Sequence, residues 1–379
     1  MKLTEDQKKA KEAIIDFWKL EGDNLLTVGG YAGTGKTTVI AEAVKSVARK
    51  NRKKITFGFC TYTGRASVVL RSKLEAAKTL RVRDSCGTIH SMIYKPIYFK
   101  GKVVGWKPVD DIECDLIVID EASMVNEDVF NDLKKYNRPI LAVGDHGQLP
   151  PINGRFNLME RPDITLEKIH RQAEGNPIIK LSLMARNCER IPYCNYGDVA
   201  KKVSDENVLD RVSDLSDVLI LCGFNKTRLG LNEYVRKRLG FSGKIPMVRE
   251  KVICLKNNRL LGIYNGMVGI LEKIEDKSGD WYNVHVNVEG DLFDGDAFKH
   301  QFGSKYTITE WKGMRGRDLG ELFDWGYAMT VHKAQGTEAK KVVLFEERFR
   351  DMSDESWARW LYTGITRSSE RLILVGKNN

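Results

Sequence analysis

No apolar run in the 379-residue chain approaches the ~20 residues needed to cross a bilayer. The opening residues, Met1-Lys2-Leu3-Thr4-Glu5-Asp6, do not read as a signal peptide. No membrane partner is therefore expected. Cysteine is sparse and scattered: Cys60, Cys86, Cys114, Cys188, Cys194, Cys222 and Cys254 form no C-x-x-C pair. Their odd number and their places in apolar runs argue against a disulfide scaffold or a zinc ribbon, and for reduced residues of a cytoplasmic protein. Cys188 and Cys194 stand nearest to one another but lack further ligands. Acidic residues are fewer than basic ones, 51 against 61, which leaves a formal charge of +10 and predicts a polyanionic partner. Lys8-Lys9-Lys11, Arg49-Lys50-Arg52-Lys53-Lys54 and Arg236-Lys237-Arg238 carry much of that charge. Each cluster taken singly is an ordinary solvated surface.

Against these absences stands one complete motif. Gly30-Tyr31-Ala32-Gly33-Thr34-Gly35-Lys36-Thr37 follows the apolar run Leu25–Val28 and precedes the helix-like run Thr38–Val47. Strand, glycine loop and helix start form the context of a G-x-x-x-x-G-K-[ST] phosphate loop. Gly33, Thr34, Gly35, Lys36, Thr37 and Thr38 are expected to bind the phosphates of a nucleoside triphosphate. Lys36 should reach the β- and γ-phosphates, and Thr37 a Mg²⁺ ion.

Length predicts two or three units. The short runs Ile55–Cys60, Leu116–Ile119 and Ile140–Val143, separated by helical stretches, predict an α/β parallel sheet. A second set comprises Val218–Cys222, a helix over Thr227–Leu239, Tyr327–Val331, Lys341–Phe345 and Leu372–Val375. Between Gly243 and Asp324 the runs Lys251–Leu255, Met267–Ile274 and Trp281–Val288 alternate in polarity and predict a small inserted antiparallel barrel. Ile97–Trp106 reads as a hairpin turning at Lys100-Gly101. At the start, Thr4 and Gln7 have the spacing of a capping box.

The run Leu116–Ile119 ends in Asp120-Glu121. Asp120 is suited to hold Mg²⁺ and Glu121 to orient and deprotonate the attacking water. The run Val143-Gly144-Asp145-His146-Gly147-Gln148-Leu149-Pro150-Pro151 offers Gln148 as a sensor of the γ-phosphate.

At this segment the chain resembles the superfamily 1 helicases, whose third motif is Gly-Asp-x-x-Gln-Leu-Pro-Pro. The resemblance extends from Gln7 to Arg367. It implies that Gln7 reads adenine and that Tyr62-Thr63-Gly64-Arg65-Ala66 and Thr88-Ile89-His90 contact the polymer. Ile169-His170-Arg171-Gln172 matches the motif whose arginine meets the γ-phosphate, with His170 against the adenine. Val331-His332-Lys333-Ala334-Gln335-Gly336-Thr337-Glu338 and Tyr362-Thr363-Gly364-Ile365-Thr366-Arg367 match the fifth and sixth motifs. By this resemblance Gly336 and Glu338 join the nucleotide site, and Arg171 and Arg367 flank it. Thr63, Arg65, Thr88, His90, His332 and Thr337 line the polymer, with Tyr98, Phe99 or Trp106 offered for stacking, an interaction of ~1–3 kcal/mol per base.

The wording is closest to the RecD/Dda branch. That implies two RecA-like domains: 1–175 as the first, with the hairpin insertion 91–113 as a strand-separating pin, and 176–242 with 325–379 as the second. An SH3-like barrel, 243–324, would be inserted in the second. ATP and Mg²⁺ would be hydrolysed in the cleft between them, driving 5′–3′ movement on single-stranded DNA and unwinding at junctions. A monomer in replication, recombination or repair is the expected setting, with proteins of those processes as further partners. Two other readings use the same residues: a translocase that displaces bound proteins without separating strands, and an ATP-switched binding module. A fused nuclease is disfavoured, since no acidic cluster lies outside the motor motifs.

Overall fold

Leu116–Ile119, four consecutive aliphatic residues, form a strand buried on both faces. Alternation divides it. Leu116 and Val118 enter one apolar cluster with Ala10, Ile14, Val39, Val44 and Leu70. Ile117 and Ile119 enter another with Ile89, Val129, Phe130 and Leu133. A continuous apolar run of this kind is what a parallel strand covered by helices on both sides requires.

The structure, a computed structural model, describes residues 3–19, 24–50, 55–99, 102–151, 156–168, 175–258, 263–288 and 291–376. The chain divides into two units, Met1–Ile179 and Lys180–Asn379. The first contains strands β1 (Leu25–Gly30), β2 (Phe57–Thr61), β3 (Ser85–Thr88), β4 (Tyr94–Phe99), β5 (Lys102–Pro108), β6 (Leu116–Ile119), β7 (Ile140–Gly144) and β8 (Ile164–Leu166). Its helices are α1 (Glu5–Phe17), α2 (Lys36–Lys50), α3 (Gly64–Ala76), α4 (Ile89–Ile93) and α5 (Glu127–Lys134), and the division falls within α6 (Pro177–Arg186).

Six of these strands make a parallel sheet in the order β3-β2-β6-β7-β1-β8. The loop after β1 therefore lies beside the ends of β7 and β6, which brings three strand ends to one place. Asp163 fixes β8 at the edge by accepting hydrogen bonds from the Thr27 N–H (2.8 Å) and hydroxyl (2.7 Å).

Strands β4 and β5 pair antiparallel with a bulge between Ile97 and Tyr98. Both run further than the expected hairpin, and the turn at Lys100-Gly101 lies outside the described residues. The reason for the extra length is at the base. The Tyr136 hydroxyl meets both the Ile93 and Val109 carbonyls at 3.0 Å, and Tyr94 hydrogen-bonds Asp132 on α5.

In the second unit the strands are β9 (Asn195–Tyr196), β10 (Ala200–Val203), β11 (Val218–Cys222), β12 (Lys251–Cys254), β13 (Val268–Asp276), β14 (Trp281–Val288), β15 (Asp291–Phe298), β16 (Glu310–Trp311), β17 (Met314–Arg315), β18 (Phe323–Trp325), β19 (Ala328–Thr330), β20 (Ala339–Phe345) and β21 (Ser368–Val375). Helices α7 (Asn225–Arg238) and α8 (Asp354–Ile365) accompany them. The sheet β19-β11-β20-β21-β10-β9 is parallel except for its last strand. Buried Asn232 ties α7 to it, accepting the Tyr327 and Ala328 N–H groups and donating to the Ala328 carbonyl.

A second sheet in this unit, β15-β14-β13-β12-β18, is antiparallel and gathers Val252, Leu271, Val284, Val286, Phe293 and Phe323 on one face. The segment Glu321–Trp325 touches both of its edges. Phe323–Trp325 pairs with β12, while the Glu321 N–H and carbonyl bond Asp296 and Phe298 of β15. That double pairing closes the sheet on itself, which removes exposed edges.

Among the described residues no helix is long and apolar enough to cross a membrane.

Candidate nucleotide and polymer sites

The loop from Gly30 to Thr37 turns on two glycines in the left-handed region, Gly33 (φ 81°) and Gly35 (φ 79°), where a Cβ would be strained. Helix α2 starts at Lys36, so the free N–H groups of its first turn and its positive end face the loop. The loop is braced from outside. Gln7 is completely buried, its amide donates to the Thr34 carbonyl (2.8 Å), and its Oε1 accepts the Thr4 N–H (3.0 Å) within the capping box. The structure thus gives Gln7, expected at the adenine, a bracing contact to the loop.

Three strand ends then supply charge. Lys36 Nζ donates to the carbonyls of Gly30 (2.7 Å) and Tyr31 (3.2 Å) and stands 3.8 Å from Asp145 Oδ2. Asp145, at the end of β7, is 1% exposed and accepts the Gly147 N–H at 2.9 Å. Gln148 Nε2 lies 3.5 Å from the same carboxylate. At the end of β6, burial pushes the Asp120 carboxyl up, while the nearby Lys36 charge and the Glu121 N–H (2.9 Å) oppose that shift. Glu121 sits in the left-handed region at φ 54°, ψ 40°. A non-glycine residue held there costs ~1–2 kcal/mol, a strain found where a side chain must be aimed.

Thr37 and Asp120 present a hydroxyl and a carboxylate, the hard oxygen donors that Mg²⁺ takes together with phosphate and water. Among the described residues no group of three or more His, Cys, Asp or Glu side chains is placed to hold a metal ion.

Reading the sequence did not single out Asp145 or His146 as site residues. The His146 ring lies 4.0 Å from the ring of Tyr31 in the phosphate loop. The signal available was their place between a buried strand and Gln148.

Thr63 follows β2 and Thr88 ends the adjacent β3, and they cap α3 and α4, accepting the Ala66 N–H (3.3 Å) and the Ser91 N–H (3.1 Å). Arg65 lies half-buried in the first turn of α3. His90 is edge-on to Tyr62 (5.9 Å) and tilted against Tyr94 (5.7 Å). Phe99 ends β4, and Trp106 on β5 is exposed. His170 and Arg171 lie outside the described residues.

The second unit has its own convergence. Arg367 is 5% exposed and donates only to oxygens of carbonyls and a hydroxyl: Thr363 O (3.0 Å), Thr337 O (3.1 Å) and Thr366 Oγ1 (3.3 Å). No carboxylate among the described residues pairs with it. Thr337 is buried beside Arg367, Gly336 adopts φ 74°, and Glu338 is exposed. Burial pulls the His332 imidazole below its usual range and so favours its neutral form.

Residues 2–191 match the AAA domain family, and residues 326–375 the UvrD-like helicase C-terminal domain. The ATP-dependent RecD2 DNA helicase of Deinococcus radiodurans is 25% identical across 94% of this chain and 48% of its own length. The ATP-dependent DNA helicase Pif1 of Campylobacter jejuni is 22% identical across 85% of the chain and 82% of its own length. The chain spans about half of the RecD2 relative. Bacteroides Pif1 solved with ssDNA has the same fold, with a TM-score of 0.58 at 19% identity over 99% of this chain and 92% of that one. Candida albicans Pif1 gives 0.52 at 17% over 100% and 95%. Both units are accordingly α/β sheets of the RecA-like kind seen in Pif1. With half of its length matched, the chain belongs to the AAA domain family, and its C-terminal stretch is similar to the UvrD-like helicase C-terminal domain.

Proposed function

We propose that this chain is an ATP-driven DNA helicase that moves 5′–3′ on single-stranded DNA and opens duplex at junctions. Arg367 carries the hydrolytic part of the reading. A buried guanidinium without a carboxylate partner is a costly arrangement unless an anion completes it. A γ-phosphate in transfer is such an anion, and an arginine there is worth ~10³–10⁵ in rate. A switched binding module needs neither this arginine nor Glu121 held in the left-handed region.

In the mechanism, Lys36 and the N–H groups of the loop and first turn of α2 hold the phosphates, with Thr37 and Asp120 on Mg²⁺, which supplies charge neutralisation when bound. Glu121 orients and deprotonates water. Asp145 positions Lys36, and Gln148 reports the γ-phosphate. Arg171 and Arg367 neutralise the charge that develops. His170, Gly336 and Glu338 complete the nucleotide site.

For the polymer we assign Thr63, Arg65, Thr88, His90, Phe99, His332 and Thr337. The capped starts of α3 and α4 after neighbouring strands support this, because N–H groups at helix starts bind phosphates. A neutral His332 acts as a hydrogen-bond donor. The hairpin, rooted by Tyr136, serves as the pin of the first RecA-like domain, and the closed sheet over 243–324 as an SH3-like insertion in the second. The relatives' descriptions as DNA helicases and the DNA-bound Pif1 structure support the choice of polymer. Free cysteines throughout fit a cytoplasmic setting.

Phosphate release measured with and without single-stranded DNA tests the reading. Strong stimulation is expected. Equal slow release in both would favour the switched module.

A further inference from the structure

A cavity of about 260 Å³ lies within the second unit, among α7, β12, the 301–307 loop and the β18–β19 segment. Its wall contains the ion pair Arg228–Asp324 (2.7 Å), and Asp324 is completely buried. That carboxylate is fully used: its other oxygen accepts the N–H groups of Gly303 and Trp325, each at 2.8 Å. Arg228 also donates to Ser304 O (2.8 Å) and Asn225 Oδ1 (3.3 Å), so two of the five N–H groups of its guanidinium are not used in bonds among the described residues.

Lys333 also lines this cavity. Its ammonium has no hydrogen-bond or ion-pair partner among the described residues, and no second carboxylate lines the wall. Burial, with the Arg228 charge adding to it, holds the ammonium down to about 8, so it is still mostly charged at neutral pH. The lining therefore carries three cations, Arg228, Lys305 and Lys333, against one anion, Asp324. At its wall Tyr306 is 64% exposed, with Lys305 Nζ 5.2 Å from the ring centre.

A half-buried cation that has lost water without gaining an acceptor destabilises a fold unless an anion joins it. We propose that the cavity is a phosphate subsite in which Lys333 and Arg228 receive one phosphate group of a nucleotide, while Tyr306 offers its ring to the attached base. Phosphate suits the site because the acceptor oxygens it brings are what the ammonium lacks, and a planar base suits an exposed ring. The phosphate belongs either to a nucleotide of a DNA strand or to a free nucleotide. The first source rests on the helicase reading, and the second does not.

The test is Lys333→Gln in the full chain, which keeps a polar, unbranched side chain one bond shorter and removes its charge. Binding of a fluorescein-labelled short oligothymidylate is followed by anisotropy across a salt series. Binding of free dTMP is followed by calorimetry with the ATP site saturated by ADP. The variant is expected to bind about tenfold more weakly. For the oligothymidylate its slope of log K against log salt should fall by about 0.7, one phosphate contact on a single strand. Its melting temperature should rise, a readout that a merely structural lysine would move the other way. Loss confined to the oligothymidylate assigns the subsite to the strand, and loss for dTMP to a free nucleotide. If wild type ignores the oligothymidylate yet binds dTMP through Lys333, the subsite stands and the polymer reading fails. Unchanged binding of both probes, or a lower melting temperature, overturns the proposal.

Discussion

Lys36 Nζ lies 3.8 Å from Asp145 Oδ2, so the lysine of the phosphate loop faces a carboxylate delivered by the neighbouring strand. The pairing matters because Asp145 is almost wholly buried and accepts a backbone N–H that fixes its direction. On the proposed function, nucleotide phosphates arriving at Lys36 would compete with Asp145 for the same ammonium and so pass a change at the phosphate loop to the segment that carries Gln148.

Replacing Asp145 by Asn should lower kcat for ATP by about ten- to a hundredfold, with nucleotide affinity equal or higher because the competing charge is gone. Steady-state phosphate release together with equilibrium ATP binding checks both parts. Lys36→Ala should remove turnover, with single-strand binding largely kept. Wild-type-like hydrolysis by that variant would refute the site.

Arg367→Ala should lower kcat by ~10³ or more. It should also cost ~1–3 kcal/mol of stability, because the Thr337 and Thr363 carbonyls lose a donor. The two effects separate by experiment: single-turnover hydrolysis reads the first and thermal melting the second. A variant that melts lower but hydrolyses within about tenfold of wild type would make Arg367 structural only.

Glu121→Gly should abolish hydrolysis while stabilising the fold by up to ~1 kcal/mol, since glycine adopts the left-handed conformation without a Cβ penalty. Melting curves and phosphate release on the same preparation check this. A loss of stability would mean that contacts of the side chain outweigh its backbone strain.

How much of this was legible in sequence depends on burial. Leu116–Ile119, Val218–Cys222 and Trp281–Val288 were readable to the residue, because a strand buried on both faces is a pure apolar run and one facing a core alternates. β15 was not, since Asp291, Asp294, Gly295 and Asp296 look like a turn. They are tolerated because only alternate residues, Phe293 and Ala297 among them, enter the core. The phosphate loop was legible as a motif. The Asp145 contact was not, because spacing along the chain says nothing of which strands lie side by side. The bracing role of Gln7 was half visible: the capping box was readable, and the bond to Thr34 was not.

Lys333 gives a pH dependence with a definite sign. The groups around it are Arg228 and Asn225 from α7, Asp324 from β18, Cys254 from β12, and Lys305 and Tyr306 from the loop. Its folded-state pKa, about 8, is below the 10.5 usual for lysine, so the charged form is disfavoured by folding. The penalty is complete below pH 8 and fades as pH rises towards 10.5, where the unfolded chain also loses the proton. The gain in melting temperature of Lys333→Gln should therefore be largest at neutral pH and shrink over that window. A gain independent of pH would contradict the assignment.

Shortening the hairpin at its tip should impair unwinding far more than DNA-stimulated hydrolysis, because Tyr136 roots the strands independently of the tip. Parallel loss of both activities would show that the hairpin supports the fold of the first unit instead.

The central claim is tested most directly by strand displacement with ATP and Mg²⁺ on duplexes matched except for a 5′ or a 3′ single-stranded tail, with Lys36→Ala as control. Displacement from the 5′-tailed duplex, absent in the control, is the expected result. Displacement from the 3′-tailed duplex alone, or none from either duplex while hydrolysis is still stimulated by DNA, would contradict it.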